Sequence, residues 1–176
     1  MSHLKTFPLI AIALLTIISC GQSQTNTQTS TKVDNVAYNP NEVFDGNKIL
    51  RTDAEWESVL TDLQYYVSRQ QGTERAYTDA YWNSKEKGIY YCIACNLPLF
   101  SSETKFNSGT GWPSFYQPIN EKNVATTVDY AIGYARTEVH CARCDGHLGH
   151  IFDDAPDQPT GLRYCINGAV LHLEKE

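Results

Sequence analysis

Four of the six cysteines in this 176-residue chain stand in two matching pairs. Cys92 and Cys95 form one Cys-x-x-Cys motif, and Cys141 and Cys144 form the other. A turn-like stretch follows each motif. Four thiolates at this spacing suit a tetrahedral zinc ion and leave no open position for water. Two disulfides are the alternative, and an oxidising compartment would favour them. The spacing and the turns favour one structural Zn2+ ion.

Cys165 stands apart from these pairs, in the segment Gly-Leu-Arg-Tyr-Cys-Ile-Asn. A lone cysteine in a strand is usually a small buried apolar side chain. Arg163 lies two residues earlier, and a cation beside a thiol lowers the thiol pKa and raises the thiolate fraction that a nucleophile needs. If the strand is regular, the two side chains share a face, and Cys165 is then a candidate nucleophile.

His147 and His150 follow the second cysteine pair in the segment His-Leu-Gly-His. They could be metal ligands or core polar groups with satisfied hydrogen bonds, although the four cysteines already complete a zinc site. Alternatively, both imidazoles face one site, where they hold water and donate protons near neutral pH.

Two capping boxes predict the helices of the chain. Thr52 with Glu55 begins a short amphipathic helix, and Thr61 with Gln64 begins a second helix that runs to about Gln70.

The rest of the chain shows the period of strands. Apolar and polar residues alternate over residues 128–134, and residues 136–141 and 162–173 look similar. Residues 106–118, rich in Gly, Pro and Ser around Trp112, are typical of a loop. The pattern predicts an α+β fold, mainly antiparallel β, with short N-terminal helices.

The N-terminus is typical of a targeting segment. Residues 7–18 are mostly apolar, too few to span a bilayer as a helix, and Ser19 and Cys20 follow at once. We expect a lipoprotein-type signal peptide and an exported protein, lipid-anchored through Cys20 to a bacterial cell envelope and facing the periplasm or the cell surface; an uncleaved anchor or ordinary secretion is the alternative. The predicted segments are a signal peptide (1–19), a flexible polar tether (20–38) and one folded domain (39–176).

The charge of the chain argues against nucleic acid as a partner. The formal net charge is -6, the pI is near 5.3, and no Lys/Arg cluster is present. Phosphate binding needs a basic face, so we expect no nucleic-acid partner.

Seven motifs in order carry a family resemblance. They are Gly-Thr-Glu-Arg (72–75), the first cysteine pair, Lys-Phe-Asn-Ser-Gly-Thr-Gly-Trp-Pro-Ser-Phe (105–115), Arg-Thr-Glu-Val (136–139), the second cysteine pair, His-Leu-Gly-His, and the segment around Cys165. Over about residues 42–173 this set resembles the B-type methionine sulfoxide reductases. The resemblance implies a two-sheet, β-tent-like fold with a zinc-bearing end, and reduction of the R epimer of protein-bound methionine sulfoxide to methionine.

The resemblance also implies roles for six residues. Cys165 matches the attacking cysteine, which becomes a sulfenic acid, and Trp112 matches the aromatic wall for the substrate methyl group. Arg163 matches a residue that tunes the thiolate. The polar groups around the sulfoxide oxygen match His147, His150 and Asn167.

The chain differs from many members of this family in one respect. Many family members use a second, resolving cysteine to return the sulfenic acid to a thiol. In this chain, the cysteines other than Cys165 are the four zinc candidates and Cys20. We therefore expect an external thiol, supplied by a thioredoxin-like protein, to regenerate Cys165 in a monomeric enzyme.

Two other functions remain open from the sequence. A zinc-ribbon-like peptide-binding module explains the cysteine pairs but gives Cys165, the two histidines and Trp112 no role. A cysteine hydrolase would use Cys165 with His147 or His150 for acyl transfer, but no oxyanion loop is evident, and such an enzyme needs no reductant.

Overall fold

The computed structural model describes residues 38–176, and two short helices open this part of the chain. Helix α1 is Asp53–Val59 and helix α2 is Asp62–Gln70. At each N-terminus a threonine side chain accepts a hydrogen bond from the backbone three residues on, and the side chain of that third residue accepts one in return. Both predicted capping boxes are therefore confirmed. The predicted signal peptide and Cys20 lie outside the described residues.

Within residues 38–176, nine strands form two antiparallel sheets. The strands are β1 Gly88–Cys92, β2 Pro98–Ser101, β3 Lys105–Phe106, β4 Ser114–Phe115, β5 Val124–Asp129, β6 Arg136–Cys141, β7 His147–Phe152, β8 Arg163–Ile166 and β9 Leu171–Lys175. One sheet has the order β2-β1-β9, and the other has the order β3-β4-β8-β7-β6-β5. The predicted fold class is confirmed, including the two sheets.

Aromatic side chains from both sheets and a helix form the core. Phe100 of β2 stacks on Phe115 of β4 with ring centroids 4.5 Å apart, and Tyr90 of β1 meets Phe115 edge-on at 5.1 Å. Trp56 of α1 is buried, and the guanidinium groups of Arg51 and Arg69 lie over its ring. Burying each large apolar side chain stabilises the fold by roughly 1.5–3 kcal/mol, so these contacts hold the two sheets and the helices together.

Two of the predicted strands differ from the observed ones. Strand β6 lies where it was predicted, but β5 begins before residue 128 and ends at Asp129, after which the chain turns with Gly133 at a φ of 88°. The prediction of a half-buried strand over residues 128–134 is wrong, because within residues 38–176 no element covers its large apolar side chains, which are all more than half exposed. Residues 162–173 divide between β8 and β9, which belong to different sheets.

Candidate active site and metal site

The four paired cysteines converge on one point. Their Sγ atoms all lie within 4.8 Å of one another, with 3.7 Å between Cys92 and Cys144 and 3.5 Å between Cys95 and Cys141. Four sulfurs about 2.3 Å from a zinc ion in a tetrahedron are about 3.8 Å apart, whereas the sulfurs of a disulfide are about 2.05 Å apart. The cluster fits one structural zinc ion, and all four thiols are free.

The same backbone turn presents both cysteine pairs. Asn96 and Asp145, the residues after each second cysteine, take φ values of 57° and 56°. The Asn96 N–H donates to the Cys92 carbonyl, and the Asp145 N–H donates to the Cys141 carbonyl. Because Cys92 ends β1 and Cys141 ends β6, the cluster joins the three-stranded sheet to the six-stranded sheet.

Cys165 lies in the middle of the six-stranded sheet. Strand β8 pairs with β4 on one side and β7 on the other, so that Cys165 stands opposite Ser114 and His150. Directly paired residues of antiparallel strands have their side chains on the same face, about 5 Å apart at Cβ. The pairing therefore places His150 beside Cys165.

A bulge in β7 brings the second histidine to the same face. Val139 pairs with Gly149, but the next residue of β6, His140, pairs with His147, so that β7 holds one extra residue. The extra residue reverses the alternation of side chains. His147 and His150 consequently share a face although they are three residues apart, and their ring centroids are 5.4 Å apart.

A pocket of about 140 Å³ opens beside Cys165. It collects four of the predicted site residues: Cys165, Trp112, His150 and Asn167. Its remaining lining residues are Thr73, Arg136, Gly149 and Phe152. Two predicted residues do not line it. His147 is buried with Nδ1 2.7 Å from the carboxylate of Glu138, and Arg163 forms a two-point ion pair with Asp154.

His150 is held by an acidic residue that the sequence did not indicate. Its Nε2 lies 2.9 Å from Oδ2 of Asp129, which also binds the guanidinium of Arg136. The backbone N–H of Ala131 and the hydrogen bond from His150 lower the pKa of Asp129, so this carboxylate is ionised. It can only accept a hydrogen bond, which places the proton of a neutral ring on Nε2. Burial lowers the pKa of His150, although the bond to Asp129 opposes this, so the ring is neutral near pH 7.

The pKa of Cys165 results from opposing contributions. Burial raises it, whereas the guanidinium of Arg163 and the hydroxyl of Thr110 lower it. Arg163 is fixed by Asp154 and lies 4.4 Å above the ring of Phe152. Arg163 thus lowers the pKa of Cys165, as expected, but the effect of burial is larger. The Cys165 thiol therefore keeps its proton at neutral pH.

Glu74 connects the two sides of the pocket. Its carboxylate accepts hydrogen bonds from the backbone N–H groups of Gly168 and Ala169 at 2.5 and 2.8 Å. Its own N–H donates to Oδ1 of Asn167, and its carbonyl accepts from the indole N–H of Trp112. One buried residue therefore orients both Trp112 and Asn167.

A second carboxyl group lies against Glu74. Burial, with a smaller contribution from repulsion by Asp79, raises the pKa of Glu74 to about 7, although the hydrogen bonds from the Ala169 and Gly168 N–H groups oppose this shift. Burial also raises the pKa of Asp79. The space between them and the backbone is tight, since a Cβ atom on Gly168 would lie 2.1 Å from Oδ1 of Asp79. Two carboxyl groups this close cannot both ionise readily, so the pair shares a proton near neutral pH.

Sequence reasoning did not single out several residues of this site. Glu74, Arg136 and Glu138 stand within the motifs that carried the family resemblance, and that position was an available signal. No sequence signal indicated Asp129 or Phe152, because only the pairing of β5, β6, β7 and β8 brings them to the pocket.

Known proteins resemble this chain over most of its length. The SelR domain model matches residues 60–175. A rice protein (Oryza sativa subsp. japonica), named chloroplastic peptide methionine sulfoxide reductase B1, is 61% identical over 125 residues, 70% of this chain and 58% of its own length. The Arabidopsis thaliana protein of the same name is 51% identical over 160 residues, 90% of this chain and 74% of its own. The peptide methionine sulfoxide reductase MsrB of Agrobacterium fabrum is 54% identical over 127 residues, 72% and 93% of the two chains. This chain therefore spans less than two thirds of the rice relative.

The predicted export and lipid anchor are wrong. The two plant relatives, at 61% and 51% identity, are named as chloroplastic proteins. A short apolar run is a weak guide to compartment, because receptors read such addresses and many signals share the apolar character. Within residues 38–176, no helix is long and apolar enough to cross a membrane.

We expect purified protein to hold one zinc ion per chain. Removing it with a chelator, or replacing Cys95 by serine, should lower the free energy of unfolding by several kcal/mol, because a metal bound only by the folded state stabilises that state. Elemental analysis with urea unfolding measures both quantities. Cys165→Ser is the control and should retain the zinc. Zinc-free protein with Cys92 or Cys141 in a disulfide would contradict the site.

We also expect the stability to fall between about pH 5 and pH 7.5 on account of Glu74. Its pKa is higher in the folded state, which therefore holds the proton more tightly, and stability is lost as pH rises toward the folded value. Glu74→Gln should remove about 1–3 kcal/mol of this loss, measured by urea unfolding at the two pH values. The exposed Glu57→Gln is the control. An equal pH dependence in Glu74→Gln and wild type would refute the assignment.

Proposed function

The chain belongs to the SelR-domain family, the B-type peptide methionine sulfoxide reductases, and we propose that it reduces the R epimer of protein-bound methionine sulfoxide with Cys165 as nucleophile. The observation that carries this proposal is the pocket in which Cys165, Trp112, His150 and Asn167 meet. It combines a soft nucleophile, an apolar wall and polar groups within one small volume, which are the parts that this reaction needs.

The pocket walls fit the side chain of methionine sulfoxide. Trp112 offers a flat apolar face to the ε-methyl group, and the Glu74 carbonyl fixes the orientation of the indole. On the polar side, the Asn167 amide uses one N–H for the Leu148 carbonyl and keeps one to donate. A chiral sulfur with its methyl on Trp112 and its oxygen toward His150 and Asn167 can present only one epimer to Cys165.

The chemistry balances as a two-electron transfer between sulfurs. The Cys165 sulfur attacks the sulfoxide sulfur and forms a bond to it. The oxygen then bonds to the Cys165 sulfur as the bonds from the substrate sulfur to oxygen and to Cys165 break, which leaves a sulfenic acid on Cys165 and methionine as product. The oxygen needs a proton as the bond breaks. Because the free thiol keeps its proton and a neutral His150 has an unprotonated Nδ1, His150 can move the thiol proton to the oxygen.

The zinc site has a structural role in this proposal. Cys92, Cys95, Cys141 and Cys144 would hold the ion, and with four thiolates it has no open position for substrate. What the ion supplies is a fixed connection between the two sheets.

An external dithiol then regenerates the enzyme. One thiol displaces water from the sulfenic acid to form a mixed disulfide, and the second thiol releases Cys165 as a thiol and leaves the reductant oxidised. Within residues 38–176, the other cysteines are the four of the zinc cluster, which supports a partner over an internal resolving cysteine. A thioredoxin-like protein provides the required dithiol, and oxidised proteins are the substrates.

The first test compares the R and S epimers of a blocked methionine sulfoxide with dithiothreitol as reductant. We expect turnover of the R epimer alone, and a loss of at least about 10³-fold in kcat/KM for Cys165→Ser, because serine is a poor nucleophile toward sulfur. Unchanged zinc content verifies that the variant is folded. Equal turnover of both epimers, or an active Cys165→Ser, would contradict the proposal, and no turnover by zinc-loaded protein would favour the peptide-binding module.

A second test concerns regeneration. Cys20→Ser should reduce the R epimer at the wild-type rate with either dithiothreitol or thioredoxin, because no internal disulfide is needed in the cycle. Mass spectrometry after one turnover without reductant should detect no disulfide at Cys165. A Cys165 disulfide, or loss of the thioredoxin-dependent rate in Cys20→Ser, would refute direct reduction. Cleavage of a test ester or amide without any reductant would instead indicate a hydrolase.

A further inference from the structure

A second depression adjoins the candidate active-site pocket. This hairpin groove, of about 360 Å³, has apolar walls from Tyr134, Ile151, Phe152 and Leu162. Arg136 and Phe152 line both the groove and the pocket beside Cys165. The two depressions are therefore adjacent and share a wall.

Tyr134 of the groove belongs to the hairpin between β5 and β6, and this hairpin exposes further large apolar side chains. Tyr130, Ile132 and Tyr134 are 68%, 53% and 61% exposed. A contiguous exposed apolar patch is uncommon on a folded protein and typically marks an interaction surface. None of these side chains contributes to the buried core, so core packing does not explain their apolar character.

The hairpin is fixed relative to the pocket. Its base is closed by the ion pair between Asp129 and Arg136, and Asp129 also binds His150 of the pocket. Its tip is closed by the Gly133 N–H, which donates to the Tyr130 carbonyl. The groove wall is thereby held beside the residues that would contact the substrate.

A polypeptide substrate must extend beyond the pocket. A volume of about 140 Å³ accommodates a single side chain, so the rest of the substrate lies on the surface around it. An extended chain advances about 3.3 Å per residue, which brings the residues two or three positions from the sulfoxide within reach of the groove. Methionine is mostly a core residue, and its oxidation disrupts cores, so oxidised proteins expose apolar neighbours of the sulfoxide.

We propose that the hairpin groove binds an apolar side chain of the substrate polypeptide, two or three residues from the methionine sulfoxide, and so makes the enzyme selective for apolar sequence around it. The inference rests on the proposed function. Its support is the wall shared by groove and pocket together with the exposed apolar hairpin. A second copy of this chain seated on the groove would cover the shared wall and obstruct the pocket, which favours the substrate as occupant.

The test compares two peptides and one small substrate. The peptides carry methionine-R-sulfoxide with either leucine or serine at two positions on each side, and the small substrate is N-acetyl-methionine-R-sulfoxide amide. For wild type we expect kcat/KM to be about 5- to 50-fold higher for the leucine peptide, mainly through KM, because burying apolar side chains improves binding.

The hairpin variant Ile132→Ser/Tyr134→Ser should reduce this ratio to about 1 while turnover of the small substrate stays at the wild-type rate. Val59→Ser/Leu63→Ser, which changes one similarly exposed apolar residue on α1 and one on α2, is the matched control and should keep the ratio.

The inference is overturned if wild type shows no preference for the leucine peptide, or if the hairpin variant keeps the preference. It is also overturned if sedimentation shows a wild-type dimer that the hairpin variant converts to monomer, since a second copy then occupies the groove. Failure of the proposed function is distinct, because wild type would then not turn over the small substrate at all.

Discussion

The turn that carries the second cysteine pair is also the connection between β6 and β7. The N–H of Cys141 donates to the carbonyl of Gly146, and the shifted pairing of His140 with His147 follows directly. Any ion held by the cluster thus fixes the register of this hairpin as well as joining the two sheets. Since the side-chain period of a strand is two, a slip of one residue would turn His150 away from Cys165 and open the pocket. The geometry of the site therefore depends on a metal site that takes no part in the chemistry.

Burial raises the pKa of two groups at the pocket, the Cys165 thiol and the Glu74 carboxyl. Cys165 lies beside the guanidinium of Arg163, but its burial keeps the thiol protonated until a substrate can take the proton. Beneath the pocket, burial of Glu74 beside Asp79 costs stability at neutral pH. At the same time, the Glu74 backbone and side chain orient the indole of Trp112 and the turn that begins at Asn167.

Local patterns predicted the parts of the fold that depend on local interactions. The capping boxes gave both helices, and the cysteine spacing gave the cluster, because each is settled within a few residues. Patterns failed where tertiary packing decides. The alternation over residues 128–134 is typical of a half-buried strand, yet no element among residues 38–176 covers it. Neither the bulge in β7 nor the contact of Asp129 with His150 can be predicted from residue spacing. The apolar N-terminal run predicted the wrong compartment because such addresses are read by receptors rather than set by packing.

The central claim is that Cys165 takes the oxygen of the sulfoxide. Reduced, zinc-loaded protein mixed with one equivalent of blocked methionine-R-sulfoxide and dimedone, without reductant, tests it in a single turnover. The account predicts one methionine per chain and one dimedone adduct, located on Cys165 by peptide mass spectrometry. Methionine formed without an adduct on Cys165, or with the adduct on another cysteine, would contradict it.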